Sequence, residues 1–239
     1  MTRHILSTAI IVLAPSVCAA QVADSAIDFS DTQGAGGWFY GIYNQGATGG
    51  QPHGYTPQDF VEFDQFDVGS QRWISSDGQV GPQNNDFLHL DALGGHPTGL
   101  GPELQDSIIW AVRRYLVPSS GLARIEVDLR KENIANPRGG GITGRIFVDG
   151  LEILTQLIEN ADGVGVSPVL VAPVSAGSTI DFAIDPTGIT PIEGSDGVFS
   201  ARADGSVFDA RIAIVPEPGG CLLLFAALIA TLSSRRRVA

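Results

Sequence analysis

Apolar and polar residues alternate with period two along most of the chain, and no long stretch keeps a helical period. Arg124-Ile125-Glu126-Val127-Asp128-Leu129-Arg130 is the clearest case: Ile125, Val127 and Leu129 face a core, and the charges between them face water. Ile180, Phe182 and Ile184 alternate with Asp181 and Ala183, and Phe208, Ala210, Ile212 and Ile214 alternate with Asp209, Arg211 and Ala213. Residues 144–148, then Asp149-Gly150, then residues 151–154 read as a hairpin, because Asp-Gly favours the two-residue I′ turn that matches strand twist. The core-facing set therefore includes Ile125, Val127, Leu129, Ile146, Val148, Phe182, Ile184, Phe208, Ile212 and Ile214.

Further strands are expected over residues 26–30, 37–43, 60–68, 87–92, 107–117, 167–174 and 198–203. Turn signals separate them, among them Gly49-Gly50, Asp77-Gly78, Gly94-Gly95, Asp196-Gly197 and Asp204-Gly205. The Gly-, Pro- and Gln-rich stretch from Gln45 to Pro57 reads as an ordered loop or a flap. Many short strands on short connections, without an internal repeat or interdomain linker, predict an all-β fold: a single antiparallel β-sandwich of two sheets.

The two ends break the pattern. Residues 1–20 carry Arg3 and His4, an apolar run from Ile5 to Val17, and the small residues Cys18-Ala19-Ala20, the layout of a secretory signal peptide. Signal peptidase cleavage after Ala20 would leave Gln21 first, with cleavage after Ala19 as the alternative. Val17 stands where a lipobox requires a small residue, which excludes lipidation of Cys18. At the other end, Pro216-Glu217-Pro218 precedes an apolar run from Gly219 to Leu232 and then Arg235, Arg236 and Arg237. A helix over those 14 residues rises about 21 Å, short of the roughly 30 Å hydrocarbon core. The arginines would hold the end on the cytoplasmic side. The division is thus residues 1–20, a signal peptide; 21–215, the sandwich; and 216–239, a tail with a short transmembrane helix.

Composition narrows the chemistry. The formal net charge is −12. Setting aside Arg3, Glu217 and the three terminal arginines leaves the middle with 25 acidic and 10 basic residues, a net charge of −15. Such a surface repels phosphate backbones, which excludes nucleic acid as a general partner. Both cysteines, Cys18 and Cys221, lie in the end segments, so the middle holds no disulfide, cysteine zinc site or thiol nucleophile.

The Pro-Glu-Pro, short apolar helix and arginine cluster together resemble the PEP-CTERM sorting signal. That resemblance implies recognition by a membrane-embedded exosortase at Pro216, Glu217, Pro218 and Arg235 to Arg237, and removal of the tail. It also implies delivery across the inner membrane of a Gram-negative bacterium to the cell surface or an exopolysaccharide matrix. A second resemblance lies in the middle. Phe29-Ser30-Asp31-Thr32-Gln33-Gly34-Ala35-Gly36-Gly37-Trp38-Phe39-Tyr40-Gly41 carries it, with Gly95-His96-Pro97, residues 111–115, 144–150 and 180–186. These look like a jelly-roll module of bacterial surface proteins, similar to carbohydrate-binding β-sandwiches, and bring no catalytic site.

Four sets of residues are candidates for chemistry. Trp38 and Tyr40 share one strand face and, with Trp73, offer flat rings of the kind that stack on sugars; the competing reading puts them in the core. Of Arg113 and Arg114, one must point inward and find a carboxylate, with Asp181 and Asp185 available, or backbone carbonyls; Arg113 is the candidate hydroxyl clamp. Glu62 and Asp67, in an acidic run from Asp59, echo the E-x-D-x-x-E strand of one family of β-sandwich glycoside hydrolases. Asp67 stands where that family has Glu, so a solvated strand face and a non-enzymatic protein is the preferred reading, with a polysaccharide hydrolase as the rival. Asn84-Asn85-Asp86, Asp162 and Asp196 offer oxygens for a structural calcium ion, although no calcium-loop spacing is present. No other metal or cofactor is implied.

Overall fold

The computed structural model describes residues 21–45, 55–76, 87–97, 108–132, 134–135, 140–186 and 205–215. The expected signal helix and C-terminal helix, the strand expected over 198–203, and Asn84, Asn85, Asp86 and Asp196 lie outside them.

Fourteen strands form among the described residues. They are β1 (Gln21–Asp24), β2 (Trp38–Asn44), β3 (Val61–Glu62), β4 (Gln65–Asp67), β5 (Arg72–Ile74), β6 (His89–Leu90) and β7 (Gly94–His96), followed by β8 (Ile109–Leu116), β9 (Gly121–Lys131), β10 (Ile142–Val148), β11 (Leu151–Ile158), β12 (Val169–Val174), β13 (Thr179–Asp185) and β14 (Ser206–Val215). One sheet runs β12-β9-β14-β7-β6-β5-β4, with β1 also on β14; the other runs β11-β10-β13-β8-β2-β3. All the pairings are antiparallel. The strands from β7 to β14 give the order β7-β14-β9-β12 in one sheet and β8-β13-β10-β11 in the other. The chain crosses between the sheets at every step except the β10–β11 hairpin, which is the strand order of a jelly roll.

Alternation explains the interior. Ile125, Leu129, Phe208, Ile212 and Ile214 of one sheet meet Ile146, Ile180, Phe182 and Ile184 of the other, and all ten residues of the expected core-facing set are buried. Gly144 lies where a Cβ would stand 2.2 Å from the Leu129 side chain, so a larger residue there would force that side chain to move. The β10–β11 hairpin closes on Asp149 (φ 50°) and Gly150 (φ 82°), the two positive φ angles of a I′ turn.

Two expected strands differ. Residues 26–30 form a turn, because the Asp24 carboxylate accepts the Ala26 and Ile27 amides at 3.1 Å and Asp28 returns a bond to the Asp24 amide at 2.8 Å. Residues 60–68 split: β3 pairs with β2 in one sheet and β4 with β5 in the other. Phe63, buried between them, makes the crossing apolar, and the Asp64 carboxylate binds the Ser76 amide at 2.8 Å. Ahead of β2, the Gln33 amide group both donates to the Tyr40 carbonyl and accepts its N–H at 2.8 Å, serving as one residue of a neighbouring strand.

Candidate functional site

The rings and cation singled out as ligand contacts sit inside the sandwich. Trp38 is enclosed by Tyr115 (ring centroids 5.0 Å) and Phe182 (6.0 Å). Tyr40 stacks on Trp73 at 5.9 Å, and the Trp73 indole N–H donates to the Ser30 carbonyl at 2.8 Å. Trp38, Tyr40 and Trp73 are thus core residues, with no ring face open to a sugar. Arg113 is also interior, 2% exposed, and donates to the carbonyls of Phe208 (3.3 Å), Asp91 (2.5 Å) and Ala92 (3.4 Å). Burial drives its pKa below the ordinary arginine value, and the nearby Tyr40, Asp209 and Asp91 oppose this. It clamps the loop after β6 to the core rather than a hydroxyl at the rim.

The acidic run does not form a catalytic strand. Glu62 ends β3 and Asp67 ends β4, in different sheets, so period two no longer places the two acids on one face. Asp67 is occupied as a turn cap, accepting the Gly69 amide at 2.9 Å and the Ser70 hydroxyl. Asp162 likewise accepts the amides of Val164 (3.0 Å) and Gly165 (2.8 Å). Among the described residues, no group of three or more His, Cys, Asp or Glu side chains is placed to hold a metal ion.

A different constellation gathers on the outer face of the six-stranded sheet. The out-of-phase residues of four strands meet there: Tyr43 of β2, Trp110 and Arg114 of β8, Arg145 and Phe147 of β10, and Asp181 and Asp185 of β13. Register places Arg114 beside Asp181, and Asp181 beside Phe147. Arg114 grips Asp181 with two bonds, Nε to Oδ1 at 2.6 Å and Nη2 to Oδ2 at 2.9 Å. Arg145 donates to Asp185 at 2.9 Å and to Glu152 of β11 at 2.7 Å. The end of the Gln45–Pro57 stretch and the residues just after it lie across the pair: the Tyr55 hydroxyl donates to Asp181 at 2.8 Å, the Pro57 carbonyl accepts from Arg114 at 2.9 Å, and the Phe60 ring covers the Arg114 guanidinium at 4.1 Å.

Asp181 and Asp185 alternate with core residues and point away from the core, yet both are fully buried. The Tyr55–Phe60 cover and the arginine pairs account for that. Burial pulls the pKa of Arg114 and Arg145 down, but the adjacent carboxylates outweigh it and hold both above the ordinary value. Burial, reinforced by the Asp181 charge, raises the Tyr55 phenol and keeps it a proton donor. Among the described residues of this face both arginines are paired with carboxylates, which leaves no spare positive charge for a phosphate or a free carboxylate.

Aromatic rings line the same face. Tyr43 meets Trp110 edge-on at 4.7 Å, Tyr55 lies at 6.0 Å and Phe147 at 6.2 Å, and the Arg145 guanidinium sits 5.3 Å from the Trp110 ring centre. Among the described residues the Trp110 indole N–H is buried without a hydrogen-bond partner, as is that of Trp38 in the core. Sequence reasoning offered Asp181 and Asp185 to whichever of Arg113 and Arg114 points inward; the arginine that holds Asp181 is the outward one, Arg114, and Trp110, Arg145, Phe147, Glu152 and Tyr55 were not assigned to this face. The available signal was phase: each of the strand residues falls at the off-core position of an alternating strand.

No protein-family model matches the chain, and no curated protein matches it. Solved structures similar to it include a family 35 carbohydrate-binding module from Clostridium thermocellum, at 14% identity over 49% of this chain and 72% of that one, with a TM-score of 0.26. CBM51 from Clostridium perfringens GH95, in complex with methyl-galactose, is 16% identical over 50% of this chain and 81% of that one, with a TM-score of 0.28. Rabbit GITRL reaches the same TM-score at 12% identity over 45% and 73% of the two chains. At these TM-scores the likenesses carry no argument; the jelly-roll assignment rests on the strand order itself.

Proposed function

We propose that this is an exported cell-surface or matrix protein, routed by the signal peptide and processed by an exosortase at its tail, whose sandwich binds neutral polysaccharide without catalysis. The observation that carries the binding reading is the Trp110 indole N–H, a buried donor without an acceptor, set among aromatic rings and bounded by two paired carboxylates. A buried polar group left unpaired costs about 1–3 kcal/mol, which a ligand hydroxyl would recover. Sugar rings supply both hydroxyls and apolar C–H faces that match aromatic side chains. Binding requires the Tyr55–Phe60 cover to lift, with a sugar hydroxyl replacing the Tyr55 hydroxyl on Asp181. The paired charges and the net acidity favour neutral over anionic chains.

The routing reading is supported by Pro216, Glu217 and Pro218, followed by a short apolar run and Arg235, Arg236 and Arg237. Intact-mass measurement of the protein from an exosortase-bearing host tests it: the mature mass should begin near Gln21 and lack Arg235 to Arg237. Retention of those arginines would reject the sorting role. Screening the mature protein against neutral and anionic polysaccharides, with and without a chelator, tests the ligand. Binding to neutral chains that survives chelation is expected. Failure to bind any neutral chain would reject the sandwich's assigned role.

A further inference from the structure

The register of β1 on β14 brings the two ends of the sandwich together. Gln21 lies opposite Ile214 and Val22 opposite Ala213, so the chain enters and leaves at adjacent positions on one corner of the eight-stranded sheet. The sheet's outer face at that corner exposes a group of apolar side chains around the single charged residue Arg124. Cross-strand register puts Pro173, Leu122 and Val215 in one row, and Val171, Arg124, Ala213 and Val22 in the next. Val22 is 62% exposed and Val171 65%. The charges within and beside this group are paired in the sheet, Arg124 with Glu126 and Arg211 with Asp24, so the corner does not share the strong acidity of the whole domain.

Only Pro216, Glu217 and Pro218 separate Val215 from the apolar run that begins at Gly219. Three residues span at most about 10 Å, roughly the depth of a bilayer's polar interface. When the apolar run is inserted, the corner cannot stand clear of the headgroups. We infer that, before the tail is removed, the face formed by Val22, Leu122, Val171, Pro173 and Val215 rests in the interfacial layer of the lipid bilayer, and that removal of the tail releases it. This rests on the reading of residues 216–239 as a membrane-inserted sorting signal. Interfacial lipid suits exposed valine and leucine without net charge.

The test uses the full-length chain, freed of its signal peptide and made in a host without exosortase. It is inserted into vesicles of phosphatidylethanolamine and phosphatidylglycerol that carry a lipid-borne quencher. Cys221 is then the sole thiol, and a fluorophore on it reports the tail. In a Cys221→Ser background, Val171→Cys reports the corner. Val164→Cys reports the opposite end of the sandwich, where the Lys131 amide, at the end of β9, donates to the Asp162 carbonyl. Quenching is expected at 221 and 171 and not at 164. Adding Leu122→Asp to the Val171→Cys protein should cut quenching at 171 at least twofold and leave Cys221 quenched in its own background. A fluorophore at 171 that stays in water while Cys221 is quenched overturns the surface and leaves the tail reading intact. Loss of quenching at both rejects both. Protection of 171 that scales with protein concentration and ignores the lipid quencher would assign the face to a second copy and overturn the lipid assignment.

Discussion

Arg113 and Arg114 are neighbours in the chain and opposites in environment. Arg113 holds three backbone carbonyls inside the core, while Arg114 holds a carboxylate on the outer face. Arg113→Met keeps much of the volume and strands carbonyl oxygens, so unfolding stability should fall by about 2–4 kcal/mol in denaturant titration. A loss below about 0.5 kcal/mol would show that water replaces the guanidinium. Phe182, packed edge-on against Phe208 at 5.8 Å, is a plain core test: truncation to Ala should cost about 3–5 kcal/mol. His96 gives a pH signature. Burial, opposed by the Pro97 carbonyl and aided by the nearby His89, Lys131 and Arg72, depresses its pKa to about 4. In the unfolded chain it would titrate near 6.5. Between these values the unfolded state binds the additional proton, so stability falls as pH falls. About 1.5 kcal/mol should be lost from pH 6.5 to 5, above the range where carboxylates titrate, and His96→Gln should flatten that slope. An unchanged slope in the variant would assign the acid sensitivity elsewhere.

At the scale of elements, legibility followed how strictly a segment alternated. β9 and β14 were readable because each buries one face against the opposite sheet and shows the other to charge and water. The I′ hairpin was readable because Asp149-Gly150 names its own turn. Gly150→Ala should destabilise the hairpin by about 1–2 kcal/mol, since φ is 82° and the added Cβ would meet the Pro57 ring at 2.8 Å. Equal denaturation midpoints for the two proteins would contradict that strain. Residues 60–68 were not readable, because a single buried Phe63 at a crossing looks the same in sequence as one core position of a continuous strand. The outer-face site was half legible. The off-phase positions of Asp181 and Asp185 were evident, but alternation cannot say whether an off-phase face meets water or a covering segment such as Tyr55–Phe60.

In the molecule as a whole, two end segments proposed to act in delivery flank a jelly roll that carries the Arg114–Asp181 and Arg145–Asp185 pairs on one sheet's outer face. On the proposed binding role, the ligand is held by the ring and charge set there once its Tyr55–Phe60 cover lifts, and not by Trp38 and Tyr40 between the sheets. Equilibrium binding of the mature protein, Trp110→Phe and Trp38→Phe to the tightest neutral polysaccharide of the panel tests that most directly. Phenylalanine keeps an aromatic ring and removes the indole donor. Losing one hydrogen bond to the ligand should weaken Trp110→Phe by about five- to tenfold, while Trp38→Phe should lose stability and keep its affinity. Equal affinity of Trp110→Phe and the parent protein would contradict the assignment of this face as the binding site.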